Sequence, residues 1–264
     1  MIKYYTRACN FKYGSIAKRL IQNGQALPLC GNINVCFDEI ELITRNKSKI
    51  RSKIINYKKI NSLNTLQKDK VKRDLRNITS KRKNFLKHVD FFEPSIMGIL
   101  NLTPDSFSDG GKFNKNNKSL KYIKKMIQYG ANIIDVGGES TRPGSQTINP
   151  TMEWKRVKYV MERFKKKHKK TSLSIDTRKS DLMIKSVKYG ADLINDVSGF
   201  NYDQNSLIKL KKYNIAKVIH HMQGTPNTMQ KNPKYKNVLL DIYDFFEKNI
   251  KKKLDNKKII LDPG

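Results

Sequence analysis

Two phrases in this chain nearly repeat each other: "YGANIIDV", beginning at Tyr129, and "YGADLINDV", beginning at Tyr189. Each reads as the end of an amphipathic helix, a glycine stop, and an apolar strand carrying an Asp or Asn near its end. A helix-stop-strand junction that recurs in this way is what a repeated βα architecture leaves in a sequence. It constrains the fold more tightly than composition does.

The segments on either side extend the pattern. "SIMGIL" reads as a short buried strand, followed by the polar loop "NLTPDSFSDGG" and a helix, "SLKYIKKMIQYG", with Leu120, Ile123, Met126 and Ile127 on one face and Gly130 as its stop. After "NIIDVGG", the helix "MEWKRVKYVMERFKKK" carries a stripe of Val157, Val160, Met161 and Phe164. Strand "SLSIDT", helix "SDLMIKSVKYG", strand "DLINDVSG", helix "QNSLIKLKKY", strand "IAKVIHHMQG", helix "LLDIYDFFEKNIKKKL" and strand "KKIILDPG" follow, so six strands alternate with five helices.

Repeated βα units build either an open doubly wound sheet or a (β/α)8 barrel. Asn101, Asp135, Asp176, Asn195, His220 or His221, and Asp262 fall at or just past the carboxyl ends of successive strands. A barrel gathers those ends around one mouth, whereas an open sheet spreads several of them apart. No G-x-G-x-x-G follows the first of these strands. The expected fold is therefore α/β, a (β/α)8 TIM barrel with six of its eight strands present, spanning 94–264.

Residues 1–93 form a separate, basic extension. Ile33, Val35 and Phe37 alternate there. From Arg45 to Lys87, Ile50, Ile54, Tyr57, Leu63, Leu66, Val71, Leu75 and Ile78 recur every three or four positions, which predicts one or two amphipathic helices. The first acidic residue is Asp38, as in an organellar transit peptide, but only two Arg and one Ser occur in the first twenty residues. The expectation is a cytoplasmic extension; a hairpin closing the bottom of the barrel is another possibility.

Composition narrows the classes. Fifty-four Lys and Arg against twenty-three Asp and Glu give a net charge of +31, which suits a nucleic-acid binder. The lysines, however, are spread along the whole chain with Asn and Ile, and no zinc-finger, RRM or basic-zipper pattern accompanies them. Solvated lysine faces are the expectation, without a specific nucleic-acid partner. No stretch approaches the length of an apolar membrane span, and no secretory h-region opens the chain. Cys9, Cys30 and Cys36 lack C-x2-C spacing and are expected to be reduced structural thiols.

In order, "IMGILNLTPDSFSDGG", "GANIIDVGGESTRPGS", "SIDT", "LINDVSG", "HMQGTPNTMQ" and "LDPG" resemble the dihydropteroate synthase family of the folate pathway, over residues 95–264. The resemblance implies a transferase that joins 6-hydroxymethyl-7,8-dihydropterin diphosphate to 4-aminobenzoate and releases diphosphate with the help of Mg2+. It also implies a sulfonamide target and, at full length, a homodimer. Asn101 would ligate Mg2+ and Thr141 would hydrogen-bond the diphosphate. Asp176, Asn195 and Asp262 would contact the pterin, with His220 beside them, and Phe107, Arg142 and Pro143 would help to build the aminobenzoate pocket. Asp135 is expected to support the second mouth loop without touching substrate. These roles suit the chemistry: an aromatic amine is already nucleophilic, so departure of the charged diphosphate is the difficult event and an anion clamp matters more than a base. Carboxylates, in turn, accept the parallel N–H donors of a pterin edge.

Two departures stand out. His220 occupies a place where many relatives have methionine, and the sequence stops at "LDPG". A complete relative continues through two more βα units, which bring a lysine for the pterin, a serine for aminobenzoate and an Arg-x-His diphosphate clamp. The chain as it stands is therefore expected to make little dihydropteroate by itself. Pterin-binding methyltransferases are a rival reading, but "TPDSFSDGG" and "ESTRPGS" are not expected in them. A non-catalytic or basic interaction protein is the other.

Overall fold

The computed structural model describes residues 2–103, 116–140, 146–225, 228–229, 232–253 and 258–264. The chain divides into two compact units, Met1–Lys83 and Asn84–Gly264.

In the first unit, β1 (Ile2–Tyr13) leads into α1 (Gly14–Gln22), β2 (Leu27–Leu29), β3 (Asn32–Asn46), β4 (Lys49–Asn56), a 3-10 turn (Tyr57–Ser62) and α2 (Thr65–Thr79). The long strand β3 is the spine, with β1 antiparallel along one edge and β2 and β4 sharing the other. The Asn64 side chain caps α2 by accepting from the Gln67 N–H at 3.0 Å. Val71 and Leu75 bury the inner face of that helix in a cluster with Phe37, Ile40 and Leu42.

The helical expectation for Arg45–Lys87 holds for α2 alone. Ile50 and Ile54 lie instead on β4, opposite Arg45 and Glu41 of β3. A spacing of four satisfies both a helix turn and the even alternation of a strand, so periodicity could not separate them. The two-residue turn between β3 and β4, with Lys47 at φ 53°, lacks the Asn-Gly or Asp-Gly signature that marks such hairpins.

The second unit alternates β5 (Ile96–Asn101), α3 (Asn116–Gln128), β6 (Ala131–Gly137), α4 (Pro150–Lys167), β7 (Ser172–Asp176), α5 (Ser180–Lys188), β8 (Leu193–Asp196), α6 (Asn205–Leu210), β9 (Ala216–His220), α7 (Val238–Lys253) and β10 (Ile259–Asp262). The strands are parallel and their spatial order follows the chain, β5 through β10. A doubly wound sheet reverses its order at a switch point, whereas a TIM barrel does not. This unit is thus α/β with the strand succession of a (β/α)8 barrel, six strands of it. Gly130 (φ 99°) and Gly190 (φ 91°) end α3 and α5 in conformations that other residues adopt at a cost, which explains the repeated phrase.

Alternate residues of each strand face opposite layers. Leu100, Ile134, Val136, Leu173, Ile175, Ile194 and Ile219 pack toward the helices, against Ile123, Val157, Met161, Phe164 and Leu182. Ile133, Leu193, Ala216 and Val218 face the other way and meet Leu86 and Val89. Residues 84–93, which begin inside the end of the basic stretch, belong to this unit. They close the floor of the sheet as irregular turns rather than a hairpin, tied by the Phe91 N–H to Asn84 Oδ1 (3.0 Å) and by Ser172 Oγ to the Lys87 carbonyl (2.7 Å). The Asn149 side chain caps α4, accepting from the Met152 N–H at 2.8 Å, with Pro150 at the first helical position.

Candidate active site

Strand register brings the predicted residues into a row. Asn101 of β5 is the partner of Gly137, Gly137 of Asp176, and Asp176 of Asn195. Gly137 leaves the space between its neighbours open: a Cβ there would lie 3.1 Å from Asn101 Oδ1 and 3.5 Å from Asp176 Oδ2. A carboxamide oxygen and a carboxylate therefore converge over a backbone with no side chain. The row continues at the neighbouring strand ends, where His220 of β9 is the partner of Asp262 of β10.

Electrostatics at the row are strained. The pKa of Asp176 is raised well above 3.8, first by burial and then by the like charges of Asp135, Asp196, Glu153 and Glu139. Burial also raises Asp135, against the opposing pull of Ser174 and Asn195. Asp135 accepts from Asn195 Nδ2 at 2.9 Å. It lies on the same strand face as Gly137, which is two residues on, and this contact holds the Asn195 side chain. Asp262 behaves oppositely. Burial pushes its pKa up, but the Gly264 N–H and the bond and charge of His220 outweigh that and hold it below 3.8.

His220 Nδ1 lies 3.0 Å from Asp262 Oδ2. The adjacent His221 is buried in an aromatic nest, its ring edge-on to Phe245 with centroids 4.9 Å apart, and its Nδ1 sits 3.2 Å from the Pro263 carbonyl. The choice left open between the two histidines resolves by strand alternation: His220 belongs to the row and His221 to the packing outside it.

Just behind the mouth lies a buried ion network. Glu139 meets Arg178 at 2.9 Å and Lys179 at 2.8 Å, and Lys179 meets Glu153 at 2.5 Å. Glu139 Oε1 also accepts the Ile148 N–H at 3.1 Å, so one carboxylate ties together both ends of the segment between β6 and α4. Burial tends to raise the Glu139 pKa, yet the hydrogen bonds and charges of Lys179 and Arg178 prevail and lower it. Asp196 is fully buried and accepts from the Ser198 and Phe200 N–H groups at 2.8 and 3.1 Å. None of these five residues was singled out from the sequence. Glu139 sits within "GGESTRPGS" and Arg178 and Lys179 directly follow Asp176, but only the fold brings them to Glu153. Phe107, Thr141, Arg142 and Pro143 lie outside the described residues.

Residues 97–264 match the family model described as pterin binding enzyme. The chain belongs to that family. Among curated members, the dihydropteroate synthase of Escherichia coli (strain K12) is 39% identical over 180 residues, which cover 67% of this chain and 63% of that protein. This chain thus spans just under two thirds of the length of that relative. Of solved family members, the Yersinia pestis dihydropteroate synthase with a sulfonamide drug complex aligns with a TM-score of 0.62 at 39% identity, covering 67% of this chain and 65% of that one. The Burkholderia cenocepacia dihydropteroate synthase complexed with 7,8-dihydropteroate aligns with a TM-score of 0.57 at 34% identity, covering 67% and 60%.

Proposed function

We propose that this protein is a dihydropteroate synthase, condensing 6-hydroxymethyl-7,8-dihydropterin diphosphate with 4-aminobenzoate to give 7,8-dihydropteroate and diphosphate. The observation that carries the reading is the row at the strand ends in which Asn101 and Asp176 converge over Gly137 and Asn195 stands beside Asp176. Solved relatives hold a sulfonamide drug and 7,8-dihydropteroate.

In this reading Asp176, Asn195 and Asp262 take the pterin, with His220 beside it. Asp176 is an acceptor crowded by the like charges of Asp135, Asp196, Glu153 and Glu139 among the described residues, so a ligand edge of N–H donors relieves an unfavourable situation as it binds. Asn195, fixed through its amide nitrogen by Asp135, offers its oxygen as a further acceptor. The aminobenzoate nitrogen attacks the pterin methylene, the bond from that carbon to the diphosphate oxygen breaks, and the amine proton leaves to solvent. Thr141 assists the departing anion, and Phe107, Arg142 and Pro143 flank the aminobenzoate.

Mg2+ fits the donors present. Asn101 offers one hard oxygen, Oδ1, at the strand ends. That suits a cation that keeps several waters and takes further ligands from a substrate diphosphate. When bound, it supplies charge neutralisation to the leaving group. A homodimer and a cytoplasmic location accompany this reading through the resemblance; no described helix is long and apolar enough to cross a membrane.

Calorimetric titration with the pterin diphosphate in Mg2+ tests the assignment. Saturable binding is expected, weakened at least tenfold by Asp176→Ala, since hydrogen bonds to a charged group contribute about 1.5–3 kcal/mol. Asn101→Ala should weaken the diphosphate ester far more than 6-hydroxymethylpterin, which lacks phosphate. Equal losses for both ligands would remove the metal role from Asn101, and absence of binding by the unaltered protein would overturn the function.

A further inference from the structure

The outer strand of the first unit carries a charge pattern in which the pterin site has no part. From Arg45 to Lys53 every second residue is basic, and no acidic residue occurs between Glu41 and Asp69. Folding turns this spacing into a row. Lys49, Arg51, Lys53 and Ile55 share one face of β4, opposite Asn46, Thr44, Leu42 and Ile40 of β3. Ile55 packs into the cluster that holds Val71 and Leu75 of α2, and from there back to the turn at Lys47 the same face is cationic.

This row differs from the lysines elsewhere. Lys47, Lys49, Arg51 and Lys53 are exposed, and none of them makes an ion pair among the described residues. By contrast, Lys70 meets Asp74, Lys179 meets Glu153 and Lys209 meets Asp181. The acids of β3 lie toward the other end of β4, where Glu39 faces Asn56 and Glu41 faces Ile54, so charge is segregated within one sheet. A compositional excess of lysine would not separate the two signs. Among the described strands β4 pairs with β3 alone, and charge on such an edge discourages pairing with other chains. The opposite edge, β1, carries only Lys3, Arg7 and Lys12 over its twelve residues, with Arg7 held by Glu41 at 2.8 Å. Edge protection therefore does not require the unbroken alternation of β4.

We propose that β4 and its turn form a contact surface for nucleic acid, holding the sugar-phosphate backbone without reading sequence. Same-face residues of a strand stand about 6.7 Å apart, close to the interval between successive phosphates of an extended nucleotide strand. Lys49, Arg51 and Lys53 each meet one phosphate, and Lys47 extends the row at the turn. Arg51 supplies a planar fork and the lysines supply point charges. Phosphates are alike in every nucleotide, so indifference to sequence follows. The surface shares no residue with the pterin site.

The experiment follows the fluorescence anisotropy of a labelled oligothymidylate of about 20 nucleotides as the full chain is added, from about 50 to 200 mM salt. Each phosphate contact on a single strand contributes about 0.7 to the slope of log affinity against log salt. Lys49→Gln/Arg51→Gln/Lys53→Gln should therefore flatten the slope by about 2 and weaken binding at least tenfold at about 50 mM salt. Lys49→Gln/Lys53→Gln, a milder change, should flatten it by about 1.4. Lys166→Gln/Lys167→Gln/Lys188→Gln removes the same charge from the ends of α4 and α5 and should change the slope by less than about 0.7. Matching urea midpoints establish that the variants are folded. Equal flattening by the β4 and helix variants would overturn the proposal, as would an unchanged slope in both β4 variants. No binding of the oligonucleotide at low salt would overturn it too. Binding to vesicles of mixed phosphatidylserine and phosphatidylcholine that depends on β4, without binding of the oligonucleotide, would replace it with a membrane contact.

Discussion

Asp176 sits among Asp135, Asp196, Glu153 and Glu139, its pKa raised first by burial and then by those like charges. Between the unfolded value near 3.8 and the raised folded value, the folded protein keeps a proton that the unfolded chain has lost. Stability therefore falls as pH rises through that window, and above it the full penalty is present. Asp176→Asn should raise Tm at neutral pH by about 2–6 °C while pterin binding is lost, and the gain should vanish below about pH 4. A thermal melt series from acid to neutral pH checks this; a variant that melts lower than the parent at neutral pH would contradict it. At this scale the placement of much of the candidate site was legible, because Asn101, Asn195 and Asp262 each follow an apolar run and Asp176 closes the alternating "SLSID". The network of Glu139, Glu153, Arg178 and Lys179 was not. Its members lie up to forty positions apart, as Lys179 and Glu139 do, and no local periodicity links them.

Helices and strands contribute through their ends and their floor. Leu86 and Val89 come from a segment with no regular structure, yet both are buried against Ile133, Leu193 and Val218. Leu86→Ala should destabilise the second unit by about 2–4 kcal/mol through lost burial and a residual cavity, read by urea unfolding at constant m-value. Asn149→Ala should cost about 1 kcal/mol by removing the α4 cap. A change below 0.5 kcal/mol at Leu86 would mean that the floor is dispensable. The barrel elements were readable because each joins an apolar run to a glycine or Asn/Asp punctuation. β4 was not: its Ile50 and Ile54 fit two periods at once, and only pairing with β3 decides between them. The floor was missed for a related reason, since two apolar residues in an irregular segment have no period at all.

For the molecule as a whole, the net charge of +31 promises attraction to any polyanion. Binding to DNA or RNA should be weak, indifferent to sequence and lost steeply as salt rises from about 50 to 200 mM. A tight, sequence-selective complex at physiological salt, seen by fluorescence anisotropy, would contradict that expectation. The strand succession β5 through β10 has a different consequence. Each described strand from β6 onward pairs with the strand made just before it, so the sheet can add its βα units in chain order. Each new βα unit docks on a strand already made, which favours stepwise folding during synthesis over a late global collapse.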